Sequence, residues 1–208
     1  MGLAFCACPA ATALPTLPAI TCLENFGQIQ KIAFQRRQAT APFATVAAAQ
    51  VISGWQDFLD ATDSTKIIVT PFFENFTIPG VVAKVEGGGD NSTLNGRPIP
   101  VDPDAVAAPG RFRSLPASVF KALRALACET ELTAYLINNA GKVIGHSRNG
   151  TTYEGIPVFN YFIGDKEALG FGTDDKNNFQ FNLDPWWSTD LKYVTPTDFN
   201  ALYDLVPS

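Results

Sequence analysis

The chain has 208 residues, with 15 Lys and Arg against 20 Asp and Glu, a formal net charge of −5, one His and four Cys. An apolar share of 46% with 16 Phe excludes an intrinsically disordered chain, the acidic balance speaks against a grip on phosphate backbones, and a single imidazole removes most zinc and proton-shuttle schemes. The charged share of 17% is low against the roughly 25% usual in a soluble domain, which points to surface covered by other copies or other proteins.

The missing charges fall first at the start of the chain. Residues 1–23 carry none, and Glu24 is the first charged residue. A secretory leader needs a basic start and an unbroken apolar run, whereas Pro9, Pro15 and Pro18 interrupt any helix here. The same prolines, with Thr12, Thr16 and Thr21 among them, argue against a membrane span, so no membrane insertion is expected. Three prolines at short spacing favour an extended N-terminal arm over 1–23, ahead of a single β-sandwich domain over 24–208. An uncharged apolar arm gains free energy by docking on a neighbouring subunit, with Phe5, Leu14, Leu17 and Ile20 as its candidate contacts.

Cys6, Cys8 and Cys22 lie in this arm and Cys128 far from it, with no C-x-x-C pair and no accompanying His cluster. No metal site is expected from that pattern, and the four read as small, mostly buried apolar side chains of a protein made in a reducing cytoplasm. A Cys22–Cys128 bridge stays open as an alternative. The N-x-[ST] sequons at Asn75, Asn91 and Asn149 read as chance occurrences.

Beyond the arm, short strands dominate. Gly27–Arg37 alternates as a strand with Ile32 and Phe34 on one face and Lys31 and Gln35 on the other. Residues 38–56 are again uncharged, and Ala44–Leu59 is expected to be a helix that packs Trp55, Phe58 and Leu59 inward. Asp57, Asp60 and Asp63 follow as a wet face and helix end. Lys66–Thr70 reads as a buried strand, Pro71–Pro79 as an edge or bent strand, and Val81–Val85 as another short strand. Residues 86–110 hold five glycines and four prolines without periodicity, which predicts a long loop with a small hairpin at Asn95–Gly96. No G-x-x-x-x-G-K-[ST] is present, so a reach across an assembly interface is preferred to phosphate binding, with Leu94 and Ile99 as candidate contacts.

The clearest helix runs over Leu115–Glu129, with Ser114 as its cap, Pro116 in its first turn, and an apolar stripe of Val119, Phe120, Leu123, Leu126 and Ala127. Residues 131–138 and 142–147 form a hairpin through Asn139-Ala140-Gly141, and Asn149-Gly150 makes a second turn. Gly155–Asp165 contains a strand with Val158, Tyr161 and Ile163 as candidate inward or cross-strand residues, and Phe179, Phe181 and Leu183 alternate with Gln180 and Asn182. About eight strands and two helices result, the architecture of a mainly β chain: a β-sandwich or open barrel with one flanking amphipathic helix.

Local signatures of chemistry are lacking. Asp174-Asp175 departs from the EF-hand pattern, His146 and Ser147 face opposite ways in a strand, and no G-x-S-x-G elbow occurs. Cys128, on the apolar helix, reads as core rather than nucleophile. No catalytic residue, cofactor or small-molecule substrate is expected. Trp186 and Trp187 are read as one anchor to the core and one interface contact, against the alternative of a carbohydrate-binding module. The arm, the uncharged stretch and the long loop together favour head-to-tail self-assembly into a ring.

The succession GQIQKIAFQRR, WQDFLDATDSTKIIVTPFFENFTIPG, GGGDNSTLNG and SLPASVFKALRALACETELTAYLINNAGKVIG resembles virion structural proteins of tailed bacteriophages, most closely the tail tube (major tail) protein family, over roughly 20–205. The resemblance implies a β-sandwich with a flanking helix, assembled into stacked hexameric rings around a continuous inner barrel, in the tail of a virion whose parts are made in the bacterial cytoplasm. Partners would be further copies and other tail or head proteins, with viral DNA passing unbound. A capsid decoration protein or head–tail connector is the alternative within the virion. A bore that DNA slides through calls for Asp and Glu in excess over Lys and Arg on the inner sheet.

Overall fold

The structure, a computed structural model, describes residues 13, 16–20, 24–91, 94–168 and 170–208. Among them the strands are β1 (Ile29–Arg36), β2 (Ile67–Val69), β3 (Phe73–Glu74), β4 (Lys84–Glu86), β5 (Ile99–Val101), β6 (Val106–Arg113), β7 (Leu132–Asn138), β8 (Val143–His146), β9 (Ile156–Ile163), β10 (Lys176–Leu183) and β11 (Leu191–Val194). Two helices, α1 (Ile52–Leu59) and α2 (Ala117–Ala125), accompany them. The chain is therefore mainly β, with its strands paired antiparallel in a large sheet that does not close into a barrel.

The sheet branches at β7. Along one edge β7 pairs with β1; along the other, Leu136 and Ile137 pair with β8, and Leu132–Ala134 pair with β9. One branch continues to β11, the other through β10 and β6 to β3. The branch that leaves through β9 folds over β1 and β7, so Ile32, Phe34, Ala134 and Leu136 share a core with Phe112, Tyr161, Phe179 and Phe181. Phe112 and Phe179 stack at 4.5 Å, and Phe34 meets Tyr161 edge-on at 5.2 Å. These offset and tilted geometries are the ones aromatic quadrupoles favour.

A second core covers the opposite face of β1 and β7. Ala33, Tyr135, Ile137 and Val143 pack there against Phe43, Trp55 and Leu59, and against Ala201, Leu202 and Leu205 near the C-terminus. Trp55 is fully buried, its indole N–H donating to the Ala49 carbonyl at 2.9 Å. This second layer covers the face of β1 that carries Lys31 and Gln35. Gln35 is buried, donating to the Thr65 carbonyl at 2.6 Å and accepting from the Tyr135 hydroxyl at 3.2 Å. Lys31 lays its stem along the protein, donates to the Leu202 carbonyl at 2.6 Å and sits 4.5 Å over the Phe72 ring. Burial holds its ammonium below the usual lysine value.

Both expected helices are shorter than their apolar patterns. The first splits into a 3-10 turn at Ala47–Gln50 and α1, because Val51 is extended (φ −115°, ψ 142°). Gly54 lets the two pieces touch, since a Cβ there would lie 2.2 Å from the Ala48 carbonyl oxygen. The second begins only at Ala117: Pro116 is the extended N-cap, no side chain caps the helix, and Ser114 instead gives its backbone N–H to the Asp175 carbonyl at 2.8 Å. Its last turn is a 3-10 turn at Leu126–Cys128. Leu123 and Leu126 enter the core, whereas Ala127 and Cys128 are exposed, so the reading of Cys128 as a buried apolar side chain is corrected. Cys6, Cys8 and Cys22 lie outside the described residues.

The expected loop over 86–110 is also redrawn. Its first part is the arm of a hairpin in which β4 pairs with β5, and its last residues belong to β6. Gly110 joins a strand here because a Cβ would come within 2.5 Å of the Phe179 ring. Asn149-Gly150 does form a turn, with the Asn149 side-chain oxygen accepting from the backbone N–H groups of Thr151 and Thr152. The β7–β8 connection is organised alike by Asn138, whose side-chain oxygen accepts from Ala140 and Lys142.

Candidate assembly surface

The sequence-selected contacts fall in three places. On the arm, Leu17 and Ile20 are 87% and 81% exposed, so neither packs on the chain's own body. Phe5 and Leu14 lie outside the described residues. On the hairpin, Ile99 is half-buried and stands opposite Glu86 in the β4–β5 register, while Leu94 opens the turn Leu94–Gly96 at the tip. The tip is held by the Gly89 N–H donating to the Gly96 carbonyl at 3.0 Å. Gly88 (φ +94°) cannot be replaced without strain, a Cβ falling 3.1 Å from the Pro98 nitrogen. Among the described residues β4 and β5 pair only with each other, so the hairpin does not extend the large sheet.

Two further exposed apolar side chains went unrecognised in the sequence. Val82 (81% exposed) and Val85 flank the start of the hairpin with their side chains in water. The VVAKV pattern reads as a short strand, yet pairing begins only at Lys84, and the paired Val85 has no layer over it because β4 and β5 stand off the large sheet. Lys84 reaches Asp104 at 3.1 Å, an exposed ion pair that ties the base of the hairpin to the segment leading into β6.

Of the tryptophan pair, Trp187 packs against the core and Trp186 is exposed. The two residues sit in a tight turn, with Trp187 N–H donating to the Asp184 carbonyl at 3.3 Å and Thr189 N–H to the Trp186 carbonyl at 3.0 Å. Trp187 packs on Phe26 at 5.7 Å and lines an apolar groove of about 230 Å³ with Phe26, Ile29, Phe76 and Ile78. Trp186 is held at φ 66° and is mostly exposed.

The outer face of β6, β9 and β10 tests the expectation of an acid-rich sheet. Arg111, Arg113 and Lys176 stand there against Glu74 and Asp174. Lys176 donates to Glu74 at 2.7 Å and Arg113 pairs with Asp174, and these partners hold both carboxyls below the usual carboxylate range. The other outward positions, among them Pro109, Phe162, Asn178 and Gln180, are uncharged, so this face does not carry the acid excess a bore requires. Asp175 lies 3.8 Å from Lys166, and among the described residues no group of three or more His, Cys, Asp or Glu side chains is placed to hold a metal ion.

His146, Ser147 and Glu154 meet where β8 ends. Glu154 is buried, accepts from Arg148 Nε at 2.5 Å, and lies 3.5 Å from His146 Nδ1. Arg148 also donates to the carbonyls of Gln38 and Ala39 at 3.0 Å each, which anchors the uncharged stretch after β1. The Ser147 hydroxyl is buried and makes no hydrogen bond to His146, so the two do not form a nucleophile–base pair.

Among the described residues no helix is long and apolar enough to cross a membrane. No protein-family model matches the chain, and no curated protein matches it. A solved chain in the cryo-EM structure of the anti-feeding prophage (AFP) baseplate, 6-fold symmetrised, is similar at a TM-score of 0.35 and 10% identity, over 87% of this chain and 98% of that one. That level of likeness assigns neither fold nor role.

Proposed function

We propose that the chain is a structural subunit of a tailed-bacteriophage virion, and within it a tail tube subunit that assembles with its own copies into stacked rings. One observation carries the reading: large apolar side chains are held in water on segments that add nothing to the chain's own cores. Leu17 and Ile20 stand out on the arm, and Val82 and Val85 on a hairpin paired with no other strand. Such exposure is stable once another subunit covers it, and burying each side chain fully contributes about 1.5–3 kcal/mol. An arm and a hairpin that each fit a different surface make a heterologous contact, which closes into rings or stacks. The uncharged sequence of 1–23 and the family resemblance support the same reading. The amide-lined face of β6, β9 and β10 belongs on the outside of such a ring, because passing DNA calls for acids in the bore.

Negative-stain microscopy of the purified chain tests it. Stacked rings or tubes are expected. Discrete trimers or lone rings would favour a decoration or connector protein, and a monomer at all concentrations would refute assembly altogether.

A further inference from the structure

The outer face of β9, β10 and β6 holds an open cavity of about 410 Å³ lined by Asn75, Pro109, Arg111, Phe162, Asn178 and Gln180. Phe162 is 61% exposed beside it. A β-bulge puts it there. Gln180 pairs with Phe162 and Asn182 with Phe159, so three residues of β9 are spanned by two of β10. Asn160, at φ 52°, takes up the extra residue, a left-handed conformation that non-glycine residues rarely adopt. In a regular strand positions 159 and 162 face opposite ways; the bulge brings both phenylalanines to the outer face while Tyr161 still enters the core.

The neighbouring strand breaks a local preference at the same place. Asn is depleted in strands, yet the outward positions of β10 are Asn178, Gln180 and Asn182. The side chains of Asn75, Arg111, Asn178 and Gln180 make no hydrogen bond to any described residue. The Asn182 side-chain oxygen is buried without a hydrogen-bond partner. Departures from local propensity that do nothing for the fold mark functional surfaces.

We propose that this face binds a neutral saccharide, its pyranose ring stacked on Phe162 and its hydroxyls bonded by Asn75, Asn178, Gln180 and Arg111. Side-chain amides donate and accept at once, which matches hydroxyl groups that do the same. An aromatic ring covers the C–H face of a sugar, and the shallow open cavity suits one or two rings rather than an enclosed ligand. A phosphate ligand would need clustered free cations, whereas Lys176 and Arg113 are paired with Glu74 and Asp174. The site is independent of the assembly reading, for it lies on the face that reading leaves outside.

Saturation-transfer NMR on the intact chain tests it, with maltohexaose, cellohexaose, chitohexaose and the methyl pyranosides of galactose and mannose as probes. Transfer to the ring protons of at least one is expected. Phe162→Ala should weaken that binding roughly tenfold, from the loss of one apolar contact face. Gln180→Ala and Asn178→Ala should weaken it as well, and Phe162→Tyr should retain it. An unchanged melting temperature in each variant shows that the outward substitutions leave the fold intact. No transfer from any probe would overturn the proposal, as would binding indifferent to Phe162→Ala. Binding of a DNA duplex at 0.15 M salt that is lost in Arg111→Ala would overturn it in favour of an anion site. Sedimentation of the same samples reads the assembly question separately.

Discussion

Arg148→Ala removes the guanidinium that faces the carboxylate of Glu154. The Glu154 side chain is 3% exposed and Arg148 Nε lies 2.5 Å from its Oε1, so the substitution strands a buried negative charge with only His146, 3.5 Å away, beside it. Breaking a buried pair from one side costs about 3–5 kcal/mol. Arg148 is itself 35% exposed, and water entering its place screens the carboxylate, which sets the expected loss near the lower figure, about 3 kcal/mol. The two hydrogen bonds to Gln38 and Ala39 are lost with it. In urea, at a slope of about 2 kcal/mol per molar, the unfolding midpoint should fall by about 1.5 M. Adding Glu154→Gln removes the stranded charge, so the double variant should recover at least half of the loss. A single-variant loss under about 1 kcal/mol, or a double variant no more stable than the single, would refute the assignment of Glu154 as a buried charge held by Arg148.

Other outcomes follow from the same structure. Trp55→Ala opens a cavity beside Phe43 and Tyr135 and deprives the Ala49 carbonyl of its donor; a loss of about 3–5 kcal/mol is expected, seen calorimetrically as a melting temperature roughly 10 °C lower. Burial raises the phenols of Tyr135, Tyr153 and Tyr161 above their ordinary values, so each ionises at higher pH in the folded than in the unfolded chain. Their contribution is complete below about pH 10 and is lost above it at about 1.4 kcal/mol per pH unit for each phenol, which urea melts at pH 9 and pH 11 would detect. Val82→Asp with Val85→Asp places charge on an exposed patch that adds nothing to either core. The pair should abolish rings in the microscope while shifting stability by no more than about 1 kcal/mol.

How much of this was legible depends on whether the covering element is local. The alternation of Phe179, Phe181 and Leu183 reads directly as β10, whereas Val158 and Tyr161, three residues apart, share the core only because of the bulge at Asn160. The cover on the second face of β1, supplied by α1 and by Ala201–Leu205, is not legible in β1 itself, because no local period encodes a layer from elsewhere in the chain. Pro116 delays α2 by two residues, because it is itself extended as the N-cap and a residue before proline, here Leu115, is disfavoured in helical conformation. Val82 and Val85 look like strand residues and become surface only because the hairpin leaves the sheet. The aromatic and amide face was not visible either. A bulge at Asn160 changes which residues share a side, and periodicity assumes that no bulge is present.

Sedimentation velocity of the intact chain beside a variant lacking residues 1–23 tests the central claim most directly. The intact chain should sediment as large, concentration-dependent assemblies, and the truncated chain as a folded monomer with an unchanged melting temperature. Two monomers, or two identical assemblies, would contradict the account of an arm that joins copies of this chain.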